Sequence, residues 1–255
     1  MEPVTTQTLQ LSDASLHWAQ WGAGSPQVVL LHDGLGSLAQ WRDFPACLSE
    51  ATGRSVIAYE RQGHGSSTPV PTGPWPTDWL DREAERLGAL LDHFGIEHPD
   101  LVGLSDGGTI ALLFAARHPT RPRTVSALAA HSWVEPVCAR AVRGMARLPT
   151  PLIDSLASYH RDAAALFTAW SGVWASEEFA SWDIRPQLGK IAAPTLIAQG
   201  TADEYATDAM LTETAAAVGE TAWRLALDGW PHLLHLHDAE ALARHVAEFL
   251  SEAGD

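Results

Sequence analysis

The chain has 255 residues, 46% hydrophobic and 18% charged, a balance that excludes disorder and suits one large α/β domain or two small ones. Its formal charge of −15 argues against nucleic acid as a partner, because a polyanion would be repelled. Only two cysteines, Cys47 and Cys138, and no apolar run near ~20 residues argue against a disulfide framework and a membrane span.

In chain order, the opening MEPVTTQTLQ has neither a basic start nor an apolar stretch. No secretory signal is expected, and the expected compartment is the cytoplasm. Residues 6–12 and 15–20 alternate in polarity and predict two antiparallel strands. Continuous apolar runs follow at Val28–Leu31, Val56–Tyr59, Leu101–Leu104, around Val125–Ala130, and at Thr195–Ala198. Such runs suit strands of a parallel sheet covered on both faces. Residues 221–227 alternate more and predict a less covered strand.

Helices are expected between the strands. Residues 78–93 carry Leu80, Leu87, Leu90 and Leu91 on one side, with Thr77 placed to cap the start and Gly95 to end the helix. A helix is expected over 106–118. Another over 239–250 carries Leu242, Val246, Phe249 and Leu250, with Asp238 as N-cap. Alternating strands and helices imply right-handed crossovers. The proline-rich stretch 67–77 reads as a surface loop. Residues 133–190 break the rhythm: helical patterns with many aromatics (Trp133, Tyr159, Phe167, Trp170, Trp174, Phe179, Trp182) read as a helical insertion.

The stretch DLVGLSDGGTI, residues 100–110, places Ser105 and Asp106 side by side after an apolar strand. Gly-x-Ser-x-Gly between a strand and a helix is the pattern of a nucleophile elbow. The tight turn needs residues without bulk two positions either side. Around Ser105 these are Gly103 and Gly107; around Asp106 one would be Leu104. The spacing therefore selects Ser105, and a carboxylate nucleophile of the dehalogenase kind is disfavoured. The Gly-rich LLHDGLGS, residues 30–37, follows an upstream strand. It can aim the Gly34 amide at the oxygen of a tetrahedral intermediate, together with the Asp106 amide at a helix N-terminus. His64, in the turn YERQGHGSS, is assigned no catalytic part.

A serine hydroxyl needs a base, and the base an orienting acid. Asp203 lies after the strand at 195–198, with Glu204 beside it; Glu135 is a more distant candidate. His232 lies in the loop before the last helix, and His235 and His237 nearer that helix. Asp203 and His232 are favoured, with Glu204 and His235 as alternatives. The spacing HLLHLH would suit a metal, but His232 is better explained as the base, so no metal is expected.

The chain resembles the α/β-hydrolase superfamily through LLHDGLGS, IAYERQGHGSS, LVGLSDGGTIAL, LIAQGTADEYA and DGWPHLLHLHDAE. The resemblance implies an eight-stranded, mostly parallel sheet with the second strand antiparallel. It also implies a core of residues 1–132 and 191–255, with a helical cap, 133–190, inserted after the sixth strand. It carries the nucleophile to Ser105, the acid to Asp203, the base to His232 and the oxyanion amides to Gly34 and Asp106, with no cofactor. Asp33 departs from the common His-Gly pair by following His32 directly, and Glu60 is the acid before the Arg-x-Gly-x-Gly stretch.

The expected activity is hydrolysis of small to medium, largely apolar esters or thioesters through an acyl-enzyme. Cleavage of a carbon–carbon bond in ring-fission diketones and non-catalytic sensing of a small ligand are the alternatives. Trp133, Trp170 and Trp174 are expected to line the pocket, and His160 or Arg161 to meet a substrate carboxylate.

Overall fold

The structure is a computed structural model that describes residues 2–25, 27–70 and 75–253. The proline-rich stretch 67–77 falls partly outside the described residues. Eight strands form one sheet: β1 (Thr5–Gln10), β2 (Ser15–Trp21), β3 (Val28–Leu31), β4 (Val56–Tyr59), β5 (Asp100–Leu104), β6 (Thr124–Leu128), β7 (Thr195–Gly200) and β8 (Ala222–Leu227). Their spatial order is β1-β2-β4-β3-β5-β6-β7-β8. Strand β2 runs antiparallel to both neighbours, and β3 through β8 are parallel. The eight strands, the reversed second strand and the flanking helices agree with the sequence reading.

The helices are α1 (Phe44–Thr52), α2 (Trp79–Phe94), α3 (Asp106–Arg117), α4 (Pro136–Arg147), α5 (Thr150–Leu156), α6 (Ala163–Trp174), α7 (Arg185–Leu188), α8 (Asp208–Val218), α9 (Leu234–His237) and α10 (Ala239–Glu252). Every residue of β3, β4, β5, β6 and β7 is buried, as continuous apolar runs require. Alternate residues serve opposite faces. Val29 and Leu31 pack with α2, α3 and α8, while Val28 and Leu30 pack with α1 and α10. Strand β8 sits at the sheet edge and is largely exposed, as its alternation predicts.

Two local expectations need correction, and two others hold. Thr77 does not cap α2; Asp78 holds the N-cap position and makes no side-chain capping bond. Gly95 does end α2 in a left-handed conformation, with its N–H on the Asp92 and Leu91 carbonyls. Strand β6 stops at Leu128 rather than Ala130, because Ala129 turns to φ +48° and the chain leaves the sheet. Asp238 caps α10 as expected, its carboxylate accepting from Ala241 N–H at 2.9 Å.

Residues 133–190 leave the sheet after β6 and return to β7. Their base is closed by a short antiparallel bridge between Trp133 and Asp183. Val134 N–H donates to Trp182 O at 3.2 Å and Ile184 N–H to Ser132 O at 2.8 Å. Helices α4 to α7 lie within this excursion.

Strand β5 is anchored at its start by a fully buried carboxylate. Asp100 accepts from Arg54 Nη1 at 2.8 Å, from Thr124 Oγ1 at 2.7 Å and from Arg123. The two arginines are partly exposed, which discounts the Coulombic part. Removing the acceptor still leaves Thr124 and two guanidinium groups short of a partner at the end of the central strand. Asp100→Ala is expected to lower stability by about 1–3 kcal/mol, measured as a shift in urea midpoint without a change in slope. An unshifted midpoint would remove Asp100 as an anchor.

Candidate active site

Ser105 is the single residue between β5 and α3, and it holds φ +52° and ψ −120°. A non-glycine residue there costs about 1–3 kcal/mol and persists only where its surroundings fix it. They do. Ser105 N–H donates to Leu128 O at 2.8 Å on the neighbouring strand, and Ser105 O accepts from Thr109 N–H at 3.0 Å in α3. The helix starts so close to the sheet that a Cβ on Gly107 would overlap the Leu31 carbonyl. A Cβ on Gly103 would overlap the backbone of Gly107. Both flanking glycines are therefore required by backbone contact, as the spacing suggests.

Ser105 Oγ lies 2.9 Å from His232 Nε2. On the other side of the ring, His232 Nδ1 lies 2.9 and 3.0 Å from the two oxygens of Asp203. A carboxylate only accepts, so Nδ1 carries the proton and Nε2 presents a lone pair to the hydroxyl. Burial lowers the His232 pKa, but the bond to Asp203 and the charges of Asp203, Asp33 and Glu204 outweigh it and raise the pKa above the usual 6.5. Burial raises the Asp203 pKa, yet the His232 bond and charge leave it below the usual value. The ordering groups come from two loops. Asp203 follows β7, where its Oδ1 also accepts from Tyr205 N–H at 2.8 Å. His232 follows β8, and its backbone N–H donates to Glu204 Oε2 at 3.2 Å.

The alternatives sit elsewhere. Glu204 reaches the His232 backbone but not its ring. Glu135 is spent on the start of α8, accepting from Thr207 N–H at 2.9 Å and Thr207 Oγ1 at 2.6 Å. His235 points its Nε2 at Gln40 O, 3.0 Å away. His237 packs on Trp230 with ring centroids 4.8 Å apart.

The carbonyls of the loop after β3 are held by donors from the loop after β4. Arg61 donates to His32 O at 2.6 Å and to Asp33 O at 2.7 Å. His32 Nε2 accepts from Arg61 N–H at 3.1 Å, so its Nδ1–H donates to Asp33 O at 2.8 Å. His64 Nε2 lies 3.0 Å from Gly34 O and its Nδ1 lies 3.1 Å from Gln62 O. Burial, then the charge of Arg61, drive its pKa well down, so the neutral ring gives its one proton to one carbonyl at a time. With the Asp33 carbonyl held by Arg61, the Gly34 N–H on the far side of that peptide is free of any acceptor among the described residues. The same holds for Asp106 N–H, the first amide of α3, which has no partner within its helix. Sequence reading missed the parts of Arg61 and His64, because the tertiary contact joining them to the β3 loop leaves no local pattern.

Ser105 opens into a cavity of about 330 Å³. Trp170 and Trp174 line it, as expected. Trp133, His160 and Arg161 do not. Trp133 lies at the base of the excursion with the Arg185 guanidinium 4.2 Å over its ring. His160 is buried as a clamp: Nδ1 accepts from Gly65 N–H at 2.9 Å and Nε2–H donates to Leu35 O at 3.0 Å. Arg161 is exposed and outside the cavity. Lining residues without a sequence signal include His131, three residues past β6, whose ring lies tilted with its centroid 5.7 Å from that of His232, and Arg42, just before α1.

Asp106 ties the elbow to the excursion. Its Oδ2 accepts from Trp170 Nε1–H at 3.0 Å, and both groups are buried. Burial, aided by the charge of Asp33, pushes its pKa up to about 6, against the pull of Arg61, the indole bond and His232. The folded carboxyl thus holds its proton to higher pH than the unfolded one at 3.8. This contribution is fully present below about pH 4 and is lost as pH rises through 6. Asp106→Asn keeps an acceptor for the indole without a charge. It is expected to raise stability by about 1–3 kcal/mol at pH 8 and by less at pH 5. Equal effects at both pH values in chemical melts would refute the buried charge.

The family model for the alpha/beta hydrolase fold matches residues 26–143. A serine hydrolase of Mus musculus, BPHL, is 27% identical over 263 residues, covering 97% of this chain and 87% of its own. The 3-oxoadipate enol-lactonase 2 of Acinetobacter baylyi is 28% identical, covering 78% of this chain and 80% of its own. Among solved structures, the enol-lactonase from Burkholderia xenovorans superposes with a TM-score of 0.75 at 24% identity, covering 96% of this chain and 100% of that one. Sequence and fold agree with the resemblance read from the motifs: the chain has the α/β-hydrolase fold, and its residues 26–143 match the model of that family.

Proposed function

We propose that the protein is a serine hydrolase of small to medium, largely apolar carboxylic esters or thioesters. One observation carries the reading. The series Asp203–His232–Ser105 is joined at 2.9 Å on each side and ends beside two amides without acceptors. Relatives named as a serine hydrolase and an enol-lactonase support it.

In this reading Ser105 Oγ attacks the carbonyl carbon and its proton passes to His232 Nε2. The carbonyl oxygen becomes an oxyanion, held by the N–H groups of Gly34 and Asp106. Asp203 fixes the tautomer and stabilises the imidazolium. His232 then protonates the departing alcohol or thiol, leaving an acyl group on Ser105. Water, deprotonated by His232, attacks that carbonyl; the acid departs and Ser105 Oγ recovers its proton. The enzyme ends unchanged and the bond has been split by one water.

Residues 133–190 serve as the cap over this site. Cys138, Val142, Met145, Leu152, Leu156, Trp170 and Trp174 give the cavity an apolar wall. Such a wall favours an aliphatic or aryl group over a sugar or peptide.

Ser105→Ala should lower kcat by several orders of magnitude while the thermal midpoint stays near or above that of the wild type, because the triad acts as a unit. A fluorophosphonate should label the wild type at Ser105 and not the variant; equal labelling of both would sink the assignment. The base must be neutral to work, and its pKa is raised, so kcat/KM should climb with pH through a midpoint above 6.5. Asp203→Asn should cost about 10⁴ in kcat by imposing the wrong tautomer. Glu204→Gln should cost far less, since Glu204 meets only a backbone amide; the reverse ranking would move the acid to Glu204.

A further inference from the structure

We propose that Arg42 and Tyr159 form a carboxylate-binding subsite in the cavity of Ser105, so that the preferred ester carries a free carboxylate remote from the scissile carbonyl. This rests on the hydrolase reading of that cavity and narrows its substrate. Arg42 lies between the short helical turn Ala39–Trp41 and α1, and it lines the cavity while remaining exposed to solvent. Its Nη2–H donates to the Tyr159 hydroxyl at 2.8 Å, and the guanidinium stands 5.7 Å from the centre of that ring. The hydroxyl oxygen is used as acceptor, so its own proton is left to donate. Arg42 makes no ion pair with a carboxylate among the described residues.

The charges around it sharpen the point. Asp33, Asp106 and Glu204 also line the cavity, and each already accepts from an internal donor: Leu35 N–H, the Trp170 indole and His232 N–H. None holds Arg42. In a chain of net charge −15, an anionic substrate is repelled at long range, so capture needs a local cation. Arg42 is the arginine or lysine that faces this cavity.

Two independent features mark the same wall as built for a ligand. Arg42 holds φ +52° and ψ −127°, almost the conformation of Ser105. Glycine would adopt it without strain, so an arginine there is held at a cost that its side chain must justify. Beside it, Gln40 Oε1 is buried with no partner, and Gln40 lines the cavity. A half-turn of the Gln40 amide would present its NH₂ to the same anion. The chemistry points to monoesters of short dicarboxylic acids and to lactones bearing a carboxylate.

The test separates binding from turnover. Monoethyl and diethyl esters of glutaric and adipic acid are titrated calorimetrically into Ser105→Ala protein. The monoester is expected to bind at least tenfold more tightly than the diester. Adding Arg42→Ala should abolish that preference, and Arg42→Lys should keep part of it. Arg42→Gly, which suits the backbone, should abolish it too without harm to the thermal midpoint, and so guards against misfolding. Equal binding of the two esters, or a preference that survives Arg42→Ala, overturns the subsite. Charge-selective binding lost with Arg42, but no turnover of any ester by the Ser105 protein, would uphold the subsite and overturn the hydrolase reading.

Discussion

The start of helix α3 lies almost in contact with the carbonyl ends of β3 and β5, and the geometry around Ser105 follows from that approach. Gly107 against the Leu31 carbonyl and Gly103 against Gly107 leave no room for a Cβ. The turn between strand and helix is then so short that its one residue must take a positive φ. That residue's side chain is thrown clear of both sheet and helix. The conformation is unfavourable by about 1–3 kcal/mol. It survives because Ser105 is bonded at both its N–H and its carbonyl and follows β5, one of five fully buried strands. Close packing also brings the first amide of α3 to the same spot, where the helix dipole favours negative charge.

A second layer of order is polar and buried. Arg61 reaches the carbonyls of His32 and Asp33, His64 faces Gly34 O, and Glu60 accepts from Leu38 N–H at 3.0 Å and Ser66 N–H at 2.7 Å. These groups convert two mobile types of segment, glycine-rich loops, into a fixed bracket. The outcome is directional. Once the carbonyls of residues 32–34 are held on one side, the Gly34 amide must face the other. His160 extends the bracket to the excursion between β6 and β7 by clamping Gly65 N–H and Leu35 O. It is therefore a joint between segments, which explains both its burial and its absence from the cavity wall.

The division between what could and could not be read from sequence follows the range of the interactions. Continuous apolar runs revealed the covered strands because burial on both faces is a local requirement of composition. The glycines flanking Ser105 were legible for the same reason: the contact they permit lies within four residues along the chain or against the adjacent strand. Asp203 and His232 were legible as loop residues in a known chain order, though their pairing joins two separate loops. Thr77 misled because a good capping residue one position too early looks the same in sequence as one in place. Trp133 misled because aromatic composition does not tell a cavity wall from the base of an excursion, where its ring meets Arg185. Arg42 was invisible: its neighbour Tyr159 is 117 residues away, and its backbone strain has no counterpart in residue type.

The bond between Asp106 and Trp170 links these two layers and limits how independently they can vary. Asp106 contributes its amide to the elbow and its carboxylate to the indole of α6, and Trp170 in turn walls the cavity. Gly34 lies between them, since a Cβ there would overlap the indole and approach Asp106 Oδ2 at 2.5 Å. The two free amides and the ring that walls the cavity are therefore one packed unit. A bulkier residue at 34 or a smaller one at 170 would alter both at once. The cavity's size can vary more freely through Val142, Met145, Leu152 and Leu156, on α4 and α5, which line it without sharing that unit. Charge selection by Arg42 and Tyr159 lies outside it as well. The fold thus separates a rigid chemical centre from walls that can change, and the separation is drawn by which residues share atoms with the elbow.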